Sequence, residues 1–224
     1  MKIEEKRHGE TARQYAYRTL RGNIISLDLE PGAPFNDVEM SQMIGISRTP
    51  VREAVIQLSE ESRIIEIFPQ RGMRIALIDV DLVEEARFLR LVLEKAAVEL
   101  VCGQADEEDL RWLDENIRLQ EFYLEGGSSQ KLLELDNKMH RKLFSICRKE
   151  PYEMCQRLAI HYDRIRSLSV ATVKDHKIIE DHKKLLEAIR RRDKKQAVEI
   201  MELHLNRWML NEQMFRNRYP AYFK

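Results

Sequence analysis

The chain has 224 residues, 43% of them hydrophobic and 34% charged, and its 38 Lys and Arg are matched by 38 Asp and Glu. That balance excludes a global basic field as the source of any nucleic-acid binding, and the first 78 residues, with eleven of each sign, do not change it. Cys102, Cys147 and Cys155 are odd in number and lack CxxC spacing, which argues against a disulfide framework. A charged N-terminus without an apolar stretch, and the lack of any run near about 18 apolar residues, predict a cytoplasmic protein that spans no membrane.

Residues 11–27 are predicted as an amphipathic helix, with Ala12, Tyr15, Ala16, Thr19, Leu20, Ile24 and Leu27 near one face. Glu30-Pro31-Gly32-Ala33-Pro34 ends it. Asn36, with Glu39 three residues on, is a capping-box signature for a short helix through Met43, and Gly45 then makes a turn. In the stretch Ser47–Glu53, Thr49 is the expected helix cap and Pro50 the first helical residue, where a missing N–H costs nothing. Val51, Ala54, Val55 and Leu58 follow the spacing of one buried face, so Thr49 and Arg52 point away from it, with Arg48 at its margin. On its own this stretch fits a plain surface helix with two arginines. As the second of two helices joined by a short turn, it is a helix-turn-helix candidate for the major groove.

Ile64–Phe68 and Met73–Leu77 are β-prone runs around a turn, Pro69-Gln70-Arg71-Gly72. A hairpin directly after a helix-turn-helix reads as a wing, with Arg71 at a tip able to reach a phosphate or a minor groove. With no basic field behind it, such a head is expected to need a second copy, so a homodimer on a double-stranded operator is predicted.

The octapeptide Ser47-Arg48-Thr49-Pro50-Val51-Arg52-Glu53-Ala54, followed by Pro69-Gln70-Arg71-Gly72, resembles the reading head of GntR-family bacterial transcription regulators. The resemblance implies DNA contacts at Arg48, Thr49 and Arg52 on the recognition helix, and at Gln70, Arg71 and Gly72 on the wing. Two positions depart from it. Val38 stands where some members carry a phosphate-binding arginine, and Glu61-Ser62 replaces the usual Glu-Gly pair, so the helix lacks the left-handed cap that glycine supplies cheaply.

From about Asp79 helical periodicity takes over, at roughly 79–102, 106–125, 129–147, 151–171, 176–191 and 194–216, with no further strand expected. Short breaks such as Gly126-Gly127 and Lys149-Glu150-Pro151 suit an antiparallel bundle. The expected fold is therefore mostly α. Residues 1–78 form a winged helix-turn-helix, and residues 79–224 an all-helical bundle for ligand binding and dimerisation. The basic run Arg190–Lys195 is read as a solvated turn, its cations favoured by a helix C-terminus.

Several apolar stripes of the bundle carry polar residues. Asp136 and His140, spaced i, i+4, sit among Leu132, Leu133, Met139, Leu143, Phe144 and Cys147. His182 lies on the stripe of Ile178, Ile179, Leu185, Leu186 and Ile189, and His204 on that of Ile200, Met201 and Trp208. Any one of these is commonly a core histidine satisfied by a carbonyl. Three with an aspartate, left dry and unpaired, cost about 1–3 kcal/mol each, and one metal ion satisfies them together. Three imidazoles and a carboxylate suit Zn²⁺, Ni²⁺, Fe²⁺, Co²⁺ or Mn²⁺ without choosing among them. The bundle also resembles the FCD ligand-binding domain of the FadR-type GntR subfamily, on Asp136-Asn137-Lys138-Met139-His140 and the two later histidines. That resemblance implies metal-ligand roles for Asp136, His140, His182 and His204.

Arg90, among Leu82, Val83, Ala86, Leu93 and Ala97, needs an anion, either an internal carboxylate or a bound one. His161 shares a stripe with Met154, Leu158, Ile165 and Leu168, between Arg157 and Arg164, as a satisfied core histidine or a second ligand contact. These features point to a ligand-responsive regulator in which a small carboxylate effector bridges the metal and Arg90. A metal-dependent hydrolase and an acyl-CoA-sensing regulator without metal are the alternatives.

Overall fold

The computed structural model describes residues 1–147, 159–172, 176–207 and 211–224. Thr11 starts α1 (Ala12–Ile25) with a reciprocal capping box, its hydroxyl accepting from the Gln14 N–H while the Gln14 amide oxygen accepts from the Thr11 N–H. This helix buries Tyr15, Ala16, Thr19, Leu20, Asn23 and Ile24. After the two-residue strand β1 (Pro34–Phe35), Asn36 caps α2 (Asp37–Ile44) by accepting from the Val38 and Glu39 N–H groups at 2.9 and 3.4 Å. Gly45, at φ 76°, ends α2 in the left-handed region that glycine enters without a Cβ penalty.

The recognition helix α3 (Arg48–Ser62) begins earlier than expected. Ser47 is its N-cap and makes no side-chain cap bond, so Thr49 is not the cap. Pro50 is the third helical residue rather than the first. Its missing N–H still falls in the first turn, where no intrahelical acceptor exists, and the Thr49 hydroxyl is left on the solvent side. The wing follows as β2 (Ile65–Phe68) and β3 (Gly72–Ile75), antiparallel with Ile65 opposite Ile75 and Phe68 opposite Gly72. β1 adds to the other edge of β3, giving the order β1-β3-β2. Sequence reading took Pro34 only as part of a helix break.

Ser62 does not stand in for a glycine cap. It is the last residue of α3, buried, with its hydroxyl donating to the Leu58 carbonyl at 2.9 Å, and Arg63 takes the left-handed conformation at φ 54°. Arg63→Gly is therefore expected to stabilise the protein by about 1 kcal/mol in urea unfolding, while Ser62→Gly gives no gain.

The bundle comprises α4 (Val80–Gln104), α5 (Glu107–Glu125), α6 (Ser129–Ile146), α7 (Ile160–Thr172), α8 (His176–Arg190), α9 (Lys194–Asn206) and α10 (Glu212–Arg218). The expected single helix over 194–216 is thus divided, with α9 ending at Asn206. The expected helix from 151 and the break at Lys149–Pro151 fall partly or wholly outside the described residues, as do Met154, Cys155, Arg157, Leu158 and Trp208.

Among the described residues, three cores follow from these stripes. Leu20, Ile24, Val51, Val55, Leu58, Ile65 and Ile75 fill the head, and Ile160 of α7 enters the same cluster. Val98, Val101, Leu113, Ile117, Leu143, Leu186 and Met201 fill the bundle. Between them, Ile78, Val83, Tyr162, Ile165, Leu168, Phe215 and Phe223 form a third cluster. Here the chain's last residues return to the linker. The Ile78 N–H donates to the Tyr222 carbonyl at 2.8 Å, and the Lys224 N–H donates to the Ile78 carbonyl at 3.0 Å. Ile78 and Phe223 form an isolated parallel bridge, while among the described residues no further strand follows the wing, as expected.

Candidate DNA-reading surface and metal centre

The first turn of α3 presents Arg48, Thr49 and Arg52 on its exposed side, because Val51, Ala54, Val55 and Leu58 turn the other face into the head core. Arg48 is held: its Nε donates to the buried Asp37 carboxylate at 3.0 Å, so the first turn of α2 aims the first arginine of α3. No sequence signal had singled out Asp37. Val38, beside it, is exposed. Gln70, Arg71 and Gly72 lie exposed at the wing tip, where Gln70 at φ 62° and Gly72 at φ 97° make the reversal. Below the tip, Glu66 and Arg74 pair across the wing.

Asp136, His140, His182 and His204 come together inside the bundle. One donor atom from each lies within 4.8 Å of all the others. The i, i+4 spacing on α6 supplies Asp136 and His140, while α8 and α9 bring one imidazole each. His182 and His204 have ring centroids 4.6 Å apart, and His140 and His204 5.3 Å apart.

The tautomers are set from behind. The His140 Nδ1 lies 2.5 Å from Glu94 Oε2, a close approach to a carboxylate that favours a proton on that nitrogen, although the angles fall short of a formal hydrogen bond. The His182 Nδ1 lies 2.8 Å from Gln120 Oε1, and the Gln120 amide is oriented by donating from Nε2 to Asn116 Oδ1 at 2.7 Å. In neutral rings both Nε2 atoms are then bare lone pairs. They face the same carboxylate, 3.6 and 3.3 Å from Asp136, and neither has a hydrogen-bond partner. Two lone pairs directed at a carboxylate repel it unless a cation lies between them. The donor set therefore fits a divalent metal.

The electrostatics agree. Burial alone would raise the Asp136 carboxyl, but the Arg166 guanidinium, joined by the imidazoles only where they are protonated, outweighs it and holds the group well below the usual carboxylate range. Against burial, Arg90 and His140 bring Glu94 down to about 2. Burial lowers His182 to about 4 against the pull of Asp136, and lowers His204 well below its ordinary value. Imidazoles with depressed folded pKa values contribute stability that is present above about 6.5 and lost as pH falls below it. Metal-free protein is accordingly expected to lose thermal stability as pH drops from about 6.5 toward 4, and His182→Gln to remove part of that slope.

Sequence reading missed the residues behind the ligands. Glu94 of α4 backs His140 and is itself paired with Arg90 Nε at 2.7 Å. Asp181 of α8 lies 3.9 Å from His204 Nδ1 and is gripped by Arg207 through two bonds, one of 2.6 Å. Arg166 of α7 contacts Asp136 and donates to Asp163 and Asn137 at 2.7 and 2.8 Å. The only advance signal was a carboxylate or amide at helical spacing on an otherwise apolar face, which many unrelated residues share. Glu94→Gln, which keeps a hydrogen-bond acceptor and removes the charge, is expected to weaken metal binding about 10–100-fold by calorimetric titration.

The two other singled-out residues sit differently. Arg90 has found the internal carboxylate, Glu94, and its guanidinium lies 5.1 Å over the Tyr162 ring at the wall of the cluster. His161 is not in the cluster at all. Its Nε2 lies 2.7 Å from the Ser62 carbonyl, at the end of the recognition helix.

Comparison with known proteins agrees with this architecture. Residues 12–75 match the gntR family of bacterial regulatory proteins, and residues 85–207 match the FCD domain. The HTH-type transcriptional repressor RspR of Escherichia coli K12 is 29% identical over 194 residues, covering 86% of this chain and 85% of the relative. The HTH-type transcriptional regulator YdhC of Bacillus subtilis 168 is 29% identical over 198 residues, covering 85% and 86%. In fold, the E. coli McbR/YncC structure superposes with a TM-score of 0.78 at 19% identity, covering 93% of this chain and 99% of that one. The chain is a DNA-binding transcription regulator and not an enzyme, so the hydrolase alternative falls. It belongs to the gntR family, with an FCD domain as its second half. Among the described residues no helix is long and apolar enough to cross a membrane.

Proposed function

We propose that the chain binds a double-stranded operator as a homodimer and that a metal-held effector modulates this binding. Arg48, Thr49 and Arg52 enter the major groove, and Gln70, Arg71 and Gly72 contact the flanking backbone or minor groove. Asp136, His140, His182 and His204 hold a divalent transition metal (Zn, Ni, Fe, Co or Mn), whose chemistry there is to bind one oxygen of a small carboxylate. Arg166 and Arg90, at the wall of the site, supply positive charge for that anion. The observation that carries the reading is the pair of His140 and His182 lone pairs converging on Asp136. An acyl-CoA sensor without metal has no use for that arrangement.

The effector acts only through different affinities for DNA-competent and DNA-incompetent arrangements of the two heads. The test is metal analysis of untagged protein, followed by footprinting on the DNA upstream of its gene with and without hydroxy acids, sugar acids and dicarboxylates. Metal-free protein with unchanged DNA binding in all acids would overturn the reading of the bundle, and no footprint at low salt that of the head.

A further inference from the structure

One helix touches both halves of the molecule with charged and polar groups. At 100° per residue, Ile160, Arg164 and His161 fall within about a 100° arc of α7, and Tyr162, Asp163 and Arg166 within another on the opposite side. The second arc belongs to the cluster, through Arg166 on Asp136 and Tyr162 beneath Arg90. The first belongs to the head. Ile160 enters the head core, His161 Nε2–H donates to the Ser62 carbonyl, and Arg164 donates to the Ala76 carbonyl at 2.6 Å and the Leu77 carbonyl at 3.4 Å.

These contacts are not ordinary packing. Arg164 is fully buried, and among the described residues it has no carboxylate partner, only backbone carbonyls. Burial alone lowers its guanidinium to about 10. An apolar side chain there would avoid the desolvation of a charge, and what the charge adds is direction. The carbonyls it grips belong to the segment that leaves β3 and enters α4. The carbonyl that His161 grips ends the recognition helix, where no intrahelical N–H remains to satisfy it.

We infer that His161 and Arg164 are positioning residues that fix the reading head on the bundle through the Ser62, Ala76 and Leu77 carbonyls, so that a change at the Asp136 cluster reaches the recognition helix along α7. The positioning half stands on the geometry above; the transmission half rests on the metal reading proposed for the cluster.

The test is backbone hydrogen–deuterium exchange on the full chain, with and without Zn²⁺, Ni²⁺ or Mn²⁺ added alone, alongside calorimetric titration of the same ions. In metal-free protein, Arg164→Met and His161→Leu are expected to speed exchange in residues 59–63 and 76–79 at least several-fold. His161→Gln, which keeps a donor for the Ser62 carbonyl, is expected to restore residues 59–63. In wild type, the ion that binds slows exchange in α6, α8 and α9 and also in residues 76–79. In Arg164→Met the ion binds with wild-type affinity and slows the three helices, but the 76–79 response is lost. Wild-type exchange in both variants without metal overturns the positioning role. A retained 76–79 response in a variant that binds metal overturns the transmission role. Failure of wild type to bind any of the ions refutes the metal reading and transmission with it, and leaves positioning to be decided by the metal-free comparison.

Discussion

Arg52→Ala is expected to lower affinity for the operator by about 1–3 kcal/mol per half-site, the discrimination carried by one good arginine–base contact. In the proposed homodimer on a pseudo-palindrome the loss doubles to roughly 2–6 kcal/mol, or about 30-fold to 10⁴-fold in Kd. Arg52 is the stronger choice over Arg48 for a physical reason. Arg48 is already tied to Asp37 at 3.0 Å, so its removal also strands a buried carboxylate and disturbs α2. Arg52 projects from the same turn into solvent and forms no ion pair among the described residues. Arg71→Ala at the wing supplies the contrast. It should weaken all sequences alike and reduce the salt dependence by about one phosphate contact per head, because a backbone contact carries no base information. Fluorescence anisotropy on the footprinted duplex and on a scrambled one separates the two. Equal losses on both duplexes for Arg52→Ala would move base reading elsewhere on the head.

His182→Ala should abolish stabilisation by metal. For a site filled at about 1,000 times its Kd, binding stabilises the folded chain by about 4 kcal/mol, which at this size raises Tm by roughly 8–16 °C. The variant removes one of four donors and leaves Asp136 with Arg166, so the metal-free chain keeps its buried carboxylate compensated. A differential scan with and without the metal identified by analysis should show the full rise in wild type and little or none in the variant. A rise of equal size in both would place the ion outside the cluster. The charge balance predicts that the metal-free chain stays folded. Arg166, Arg90 and Arg207 each contact a buried carboxylate, so the bundle does not rely on the ion alone to neutralise Asp136, Glu94 and Asp181.

What was legible beforehand was local. Asn36 ahead of α2, Gly45 between the helices, and Gln70 to Gly72 at the wing tip each encode their geometry within a few residues. Asp136 and His140 share one helical face for the same reason. The other two imidazoles stood out only together, as several histidines and an aspartate on apolar stripes in a bundle that resembles the FCD domain, since one such histidine alone is commonly satisfied by a carbonyl. Contacts set by distant parts of the chain were not legible. Glu94 meets His140 from another helix, and Gln120 meets His182 across 62 residues of sequence. His161 carries the same pattern as a pocket histidine, an imidazole on an apolar stripe. Its partner, the Ser62 carbonyl, lies 99 residues away and is a backbone atom, which no side-chain pattern can announce. Thr49 and Ser47 are both competent caps two residues apart. The helix starts after Ser47, which makes no side-chain cap bond, and Thr49 is left on the side that faces outward.

The bridge between Ile78 and residues 222–224 has a consequence for the order of events during synthesis. Most of the head core is available early, since among the described residues all but Ile160 of its buried apolar residues come from the first 75, and N-terminal units generally fold as they emerge. Its linker acquires the Tyr222 and Lys224 partners only after roughly 145 further residues have been made, about 7–30 s later at ordinary elongation rates. Through that interval a nascent chain carries a folded reading head without the strap that ties its linker to the bundle. A head in that condition has the chemistry to touch DNA, and once α7 is made it is held by His161 and Arg164 but not yet by the strap. A chain that stops short of Tyr222 therefore keeps the His161 and Arg164 contacts to its head but lacks the strap on its linker, and is expected to hold that head less firmly.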